Sequence, residues 1–325
     1  MAAADSTINE FKEHVRQYIK MHECFGYTSF GGADRVEFVP HDALAQFWTV
    51  EVVRAVLWSG QSRVTTDAQH IIDKYLVAFS ILAWMEKPGD ITKIMDLNIG
   101  DHILPIDESL IQGTEQPDMK ELLLEFSKNQ WKFSPLILDC RPLKRRLNPY
   151  HIVPIANKQR LDIATDEDDE DVRVYKAQWH GLCLGSLPVR SIMIASTRFR
   201  SANTPRLSQS SYVVLKEYSV PNHDSAAYKM LSNEVDIYTS LDDGAFEYVI
   251  RYYGSFVQQG KFTLILEYAS KGTLLDYFET MPRPRTCLER TRFWQRFFSL
   301  LPALAYIHQL CTFKDNVLKG LVTSR

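Results

Sequence analysis

The chain has 325 residues and 45% hydrophobic content, enough for two ordinary globular domains. A formal charge of −3 and a pI near 6.3 provide no global field for nucleic acid or an anionic membrane. The first residues, Met1-Ala2-Ala3-Ala4-Asp5, lack the basic and apolar parts of a secretory leader. The longest apolar stretch, Tyr75 to Met85, contains a serine and is too short to span a bilayer. Cys24, Cys140, Cys183, Cys287 and Cys311 show no paired spacing for zinc or a disulfide framework, and their odd number points to free thiols. The protein is expected to be intracellular, cytoplasmic or nuclear, with no nucleic-acid and no membrane partner.

Residues 6 to about 128 read as helical, and residues 1–128 are expected to form a helical domain. Ile72, Leu76, Phe79 and Ala83 fall on one stripe that Ile71, Tyr75 and Leu82 widen, so this helix should bury a broad face. Ala43 to Trp58 has similar character, and Met119 to Phe126 is a shorter helix. Pro88-Gly89-Asp90 and Gln112-Gly113-Thr114 punctuate them. No acidic or histidine cluster has metal-ligand spacing. Asn129 to Leu136 ends the helical part and opens an extended connector over 129–154. Within it, Arg141 to Arg146 is a basic surface stretch, and His151 to Ile155 a short strand.

From residue 172 the rhythm changes to period two. Val172 to Trp179 alternates and is rich in β-branched and aromatic residues, as a strand should be. Leu182 to Gln209, rich in Ser, Arg, Thr and Pro, reads as a surface insertion. Strands return at Tyr212 to Tyr218, Val249 to Val257 and Phe262 to Tyr268, with a helix from Ala226 to Leu241 between the first two.

In this order the segments resemble the protein kinase family, over roughly residues 155 to 310. A strand ends in Val213-Val214-Leu215-Lys216, and the helix after it carries Glu234. By resemblance Lys216 contacts the α- and β-phosphates of ATP, and Glu234, on helix αC, orients it. Tyr248 to Phe256 looks like the fourth strand, and Thr263 to Tyr268 like the fifth strand and hinge. Leu266 would be the gatekeeper, with Glu267 and Ala269 offering backbone groups to adenine. Lys271 to Asp276 resembles the start of helix αD, and Leu304 to His308 the end of helix αE. Trp131 to Pro135 and Ile152 to Ile155 resemble segments of fungal kinase-domain proteins with a helical amino-terminal extension. The implied fold is α+β. A helical domain precedes a kinase-like amino-terminal lobe (155–268), a twisted antiparallel sheet with αC, followed by the hinge and helices αD and αE (267–310) of a carboxy-terminal lobe.

Two departures qualify the resemblance. The stretch upstream of Val174, where a glycine-rich loop should cradle phosphate, is the acidic run Asp166 to Asp171, without glycine. Gly181 and Gly185 follow the candidate second strand and make a weaker cradle. After Ile307-His308 the sequence offers no catalytic base, no magnesium-binding Asn and no Asp-Phe-Gly. The chain is therefore expected to be a kinase-like domain cut short of its catalytic loop, unable as written to transfer phosphate, to hold ATP only weakly and not to bind magnesium by itself. Phe293, Phe297, Leu300, Leu301, Leu304 and Ile307, with Trp294 and Phe298 beside them, form an apolar αE face expected to meet a protein partner. The alternatives are a pseudokinase or interaction module that binds a partner without catalysis, and a helical adaptor with an inert kinase remnant.

Overall fold

A computed structural model describes residues 2–29, 35–59, 67–138, 143–161, 172–183, 211–219, 232–239, 250–270, 278–280, 283–298, 301, 302, 304 and 305. The fold is α+β, with a helical amino-terminal region and a sheet. The chain divides into two compact units. The first comprises Met1–Cys140, Leu147–Lys158 and Gln178–Ser211; the second comprises Arg141–Arg146, Gln159–Ala177 and Tyr212–Arg325.

In the first unit, α1 (Ala2–His22) buries Ile8, Phe11, Val15, Tyr18 and Ile19, a stripe at helical spacing. Two short strands, β1 (Phe25–Tyr27) and β2 (Arg35–Glu37), pair antiparallel within the region read as wholly helical. At three residues each they are too short to show a period of two. Gly26 sits where an added Cβ would lie 2.5 Å from the Val153 carbonyl oxygen, so a side chain would push the two backbones apart.

The Ala43 to Trp58 segment forms two helices, α2 (His41–Phe47) and α3 (Val50–Ser59), separated at Trp48 and Thr49. The next apolar stretch is also broken, into α4 (Ala68–Lys74) and α5 (Leu76–Trp84), because Tyr75 takes φ −135° and ψ 21°. Asp101 stabilises the break. Its two carboxylate oxygens accept the backbone N–H groups of Val77 and Ala78, each at 3.0 Å. Freed from the α4 direction, α5 is buried on every side through Leu76, Ala78, Phe79, Ser80, Ile81, Leu82 and Ala83. Trp48 packs against both Phe11 and Phe79, with ring centroids 4.7 and 4.9 Å away.

Pro88–Asp90 is a 3-10 turn, followed by α6 (Ile91–Asp96) and α7 (Glu108–Gln112), which Gly113 ends. The last helix, α8 (Pro117–Phe133), runs past the end expected at Phe126 and takes in the start of the supposed connector. Its buried Gln130 explains the extension: Oε1 accepts from the Ile106 N–H at 2.7 Å and Nε2 donates to the Ile106 carbonyl at 3.1 Å. A polar side chain inside the helix thus satisfies the backbone of a neighbouring loop. In the later connector, Leu136 N–H donates to Ile152 O, and Val153 bridges Tyr27.

The described strands of the later part of the chain form one six-stranded sheet. Its strands are β3 (Leu143–Arg146), β4 (Ile155–Arg160), β5 (Val172–Trp179), β6 (Ser211–Ser219), β7 (Tyr252–Gln258) and β8 (Lys261–Glu267), in spatial order β3-β7-β8-β6-β5-β4. β6, β8 and β7 pair antiparallel, as expected. The basic stretch, by contrast, is a strand, β3, and it joins β7 in parallel. β7 and β8 are joined through Gln259 and Gly260, both at positive φ (47° and 73°), the backbone of a tight hairpin turn.

Residues 232–239 form a helix, α9. Its Val235 packs with Tyr252, Phe262, Leu264 and Leu266 of the sheet, and Tyr238 stacks on Tyr252 at 5.7 Å. The opposite sheet face is also buried, through Ala177, Val213, Leu215 and Ile265. Helix α10 (Cys287–Phe298) starts with Thr286 and Glu289 exchanging hydrogen bonds in a capping box. The expected αD segment 271–276 and the αE end 306–308 lie outside the described residues. Among the described residues no helix is long and apolar enough to cross a membrane.

Candidate functional site

β6 alternates between two environments. Val213 and Leu215 point into one buried face, while Tyr212, Val214, Lys216 and Tyr218 line the other. The second face is the one α9 covers, so Lys216 meets the helix. Its Nζ lies 3.2 Å from Glu234 Oε1, which pairs the two residues singled out in the sequence. Both side chains are about one-third exposed, at 32% and 29%, so the pair is open to solvent and to a ligand.

A third residue completes this contact. Tyr218 donates its hydroxyl to Glu234 Oε2 at 2.8 Å, so each carboxylate oxygen has its own partner. The Lys216 ammonium also lies 5.0 Å from the centre of the Tyr218 ring. The kinase resemblance does not extend to Tyr218. Its position two residues after Lys216 on a strand was the available signal, since that spacing puts both on one face. Burial pushes the Tyr238 phenol above its usual pKa, and the nearby Glu234 carboxylate adds to the shift.

At the other end of the same face, Lys176 of β5 sits between two rings. Its ammonium is 4.5 Å from the Tyr212 centroid and 4.4 Å from that of Tyr268. A cation held over two aromatic faces ties together β5, β6 and the end of β8.

Leu266 is buried against α9 with Val235, as a residue facing the helix. Glu267 is more constrained than a free hinge residue. Its backbone N–H donates to Arg251 O at 2.8 Å, and its carboxylate accepts from the Arg251 N–H at 3.2 Å. That N–H is therefore engaged within the sheet. Ala269 is exposed. The acidic run Asp166 to Asp171 connects β4 to β5 and lies outside the described residues, as does Gly185; Gly181 opens a 3-10 turn after β5.

On α10, Trp294, Phe297 and Phe298 are exposed, Trp294 at 50% and Phe298 at 54%, and Phe293 is half-buried against Phe278. Leu301 and Leu304 continue the exposed apolar surface, while Leu300 and Ile307 lie outside the described residues. Among the described residues no three His, Cys, Asp or Glu side chains come together as a metal site requires. Comparison with protein-family models and with curated proteins finds no match to this chain.

Proposed function

We propose that residues 155–268 form a protein-kinase-like amino-terminal lobe in which Lys216, oriented by Glu234, recognises the phosphates of ATP. The single observation that carries this reading is the 3.2 Å contact between a strand lysine and a glutamate on the covering helix. An isolated strand lysine usually extends to solvent. Here it turns onto the helix-covered face and pairs with Glu234, both side chains about one-third exposed. The strand order supports the same reading, since the lysine strand lies between those read as second and fifth.

The proposed activity of these 325 residues is nucleotide recognition without phosphoryl transfer. In the protein kinase family the groups that position the phosphoryl and neutralise its charge follow the segments matched here, so the reading covers recognition alone. ATP, when bound, would present its phosphates to Lys216 and its base to the Leu266–Ala269 segment. Magnesium should change its affinity little.

Calorimetric titration of the 325-residue chain with ATP, with and without magnesium, tests this beside a phosphate-transfer assay on a generic protein substrate. The expected result is weak, magnesium-insensitive binding that Lys216→Met abolishes, and no transfer. Tight magnesium-dependent binding, or turnover lost in Lys216→Met, would refute recognition without transfer. Binding unaffected by Lys216→Met would refute the site itself.

A second reading has its own observation. The exposed Trp294, Phe297, Phe298, Leu301 and Leu304 are an apolar surface of the kind that binds a protein partner, which makes the unit an interaction module. Pull-down with Trp294→Ser as the control separates the two readings, because this substitution leaves the Lys216 contact untouched.

A further inference from the structure

We infer that Tyr218 is a positioning residue that keeps Glu234, and with it α9, docked on the sheet independently of Lys216. The consequence for nucleotide binding rests on the reading proposed above; the contact itself does not.

Lys216 and Tyr218 reach one carboxylate from two adjacent positions on the same face of β6. The phenol is the closer partner, at 2.8 Å against 3.2 Å for the ammonium. It is also the stiffer one. A lysine carries its charge on a flexible four-carbon stem with three rotatable donors, whereas a tyrosine places its hydroxyl on a rigid ring. That ring sits edge-on to the buried Phe262, with centroids 6.4 Å apart at 68°. A hydroxyl donated to a carboxylate is a charge-assisted bond, stronger than one between neutral groups.

The two partners respond differently to an anion. Phosphate draws on the Lys216 ammonium, which has three N–H donors and can turn one to an anion. The Tyr218 phenol has a single O–H, and that one is given to Glu234 Oε2. When Lys216 turns to phosphate, Tyr218 still holds Glu234 Oε2, and Oε1 stays where it can orient the ammonium from behind. Tyr218 is thus the restraint that lets the lysine work on a ligand without releasing the helix.

The test uses the full 325-residue chain with Tyr218→Phe, which keeps the ring and its contact with Phe262, and with Lys216→Met. Amide hydrogen exchange is read at residues 232–239, and affinities for adenosine and ATP are measured on the same proteins. In Tyr218→Phe, exchange across 232–239 should accelerate about tenfold, the effect of losing one charge-assisted hydrogen bond, with β8 amides unchanged. Lys216→Met should accelerate it less. ATP affinity should fall several-fold in Tyr218→Phe while adenosine affinity stays the same, a split that a packing defect would not produce. Exchange in Tyr218→Phe equal to that of the unaltered chain, or equal losses for ATP and adenosine, would overturn the inference. If the unaltered chain binds neither compound, the nucleotide reading fails, and hydrogen exchange alone decides the role of Tyr218.

Discussion

Helices α5 and α10 are both rich in large apolar residues, and their fates are opposite. α5 buries nearly all of its residues, and its one hydroxyl, Ser80, donates back to Leu76 O at 2.7 Å so that nothing polar is left unsatisfied. α10 leaves Trp294, Phe297 and Phe298 exposed, with Trp294 and Phe298 stacked on each other at 5.6 Å and 24°. The composition of a helix thus states how much apolar surface it has, while its neighbours decide whether that surface is core or contact face. In α5 every side chain but Ser80 is apolar, whereas α10 also carries Glu289, Arg290, Thr291, Arg292 and Gln295.

The largest test of that contrast is Phe79→Ala. Phe79 is fully buried in α5 against Trp48, so the substitution should destabilise the first unit by about 3–5 kcal/mol through lost transfer energy and a residual cavity. The transition of the first unit in a denaturant melt should move, and that of the second should stay. A joint shift would mean that the two units unfold as one.

Asp101→Ala comes next. It leaves the Val77 and Ala78 N–H groups without their carboxylate and should cost about 1–2 kcal/mol. Hydrogen exchange at these two amides should rise selectively, showing that the break before α5 depends on a residue supplied by a distant loop.

Lys216→Met should have a smaller effect on stability, at most about 1 kcal/mol, because the ion pair is one-third exposed and the helix keeps its contact through Tyr218. A chemical-denaturation midpoint close to that of the unaltered chain, together with lost ATP binding, is the expected pair of results.

Acid should act on the first unit. Burial holds the His180 imidazole below its ordinary pKa, and its Nε2 lies 2.9 Å from the His22 carbonyl oxygen. A depressed folded value means that the unfolded chain takes up the proton first. The contribution is therefore present above about pH 6.5 and lost as pH falls through the lower folded value. Thermal melts from pH 7.5 to 5.5 should show the first unit weakening, and His180→Gln should flatten that dependence.

The smallest effect, and the sharpest break of the comparison, is Phe298→Ser. At an exposed position of α10 it should change stability by no more than about 0.5 kcal/mol, against several for Phe79→Ala. A large loss would show that this face is covered after all.

The second unit was the more legible half, for reasons visible in particular residues. β5 occupies the expected Val172–Trp179, because alternation of β-branched and aromatic residues is a local property of a strand. Lys216 and Glu234 were paired by resemblance to the kinase family, and the structure brings them within 3.2 Å.

What sequence by itself determined is of this kind: element type and the face on which each residue lies. Tertiary structure decided the rest. Periodicity continues straight through Tyr75, and only the Asp101 carboxylate, from far along the chain, makes two helices of one apolar stretch. Gln130 extends α8 because its partner is the backbone of Ile106. The basic run became a strand because β7 offered it a parallel edge. Tyr218 joined the site because α9 brings Glu234 over it. In each case the deciding energy comes from a group distant in sequence, and local patterns carry no record of which distant group will arrive.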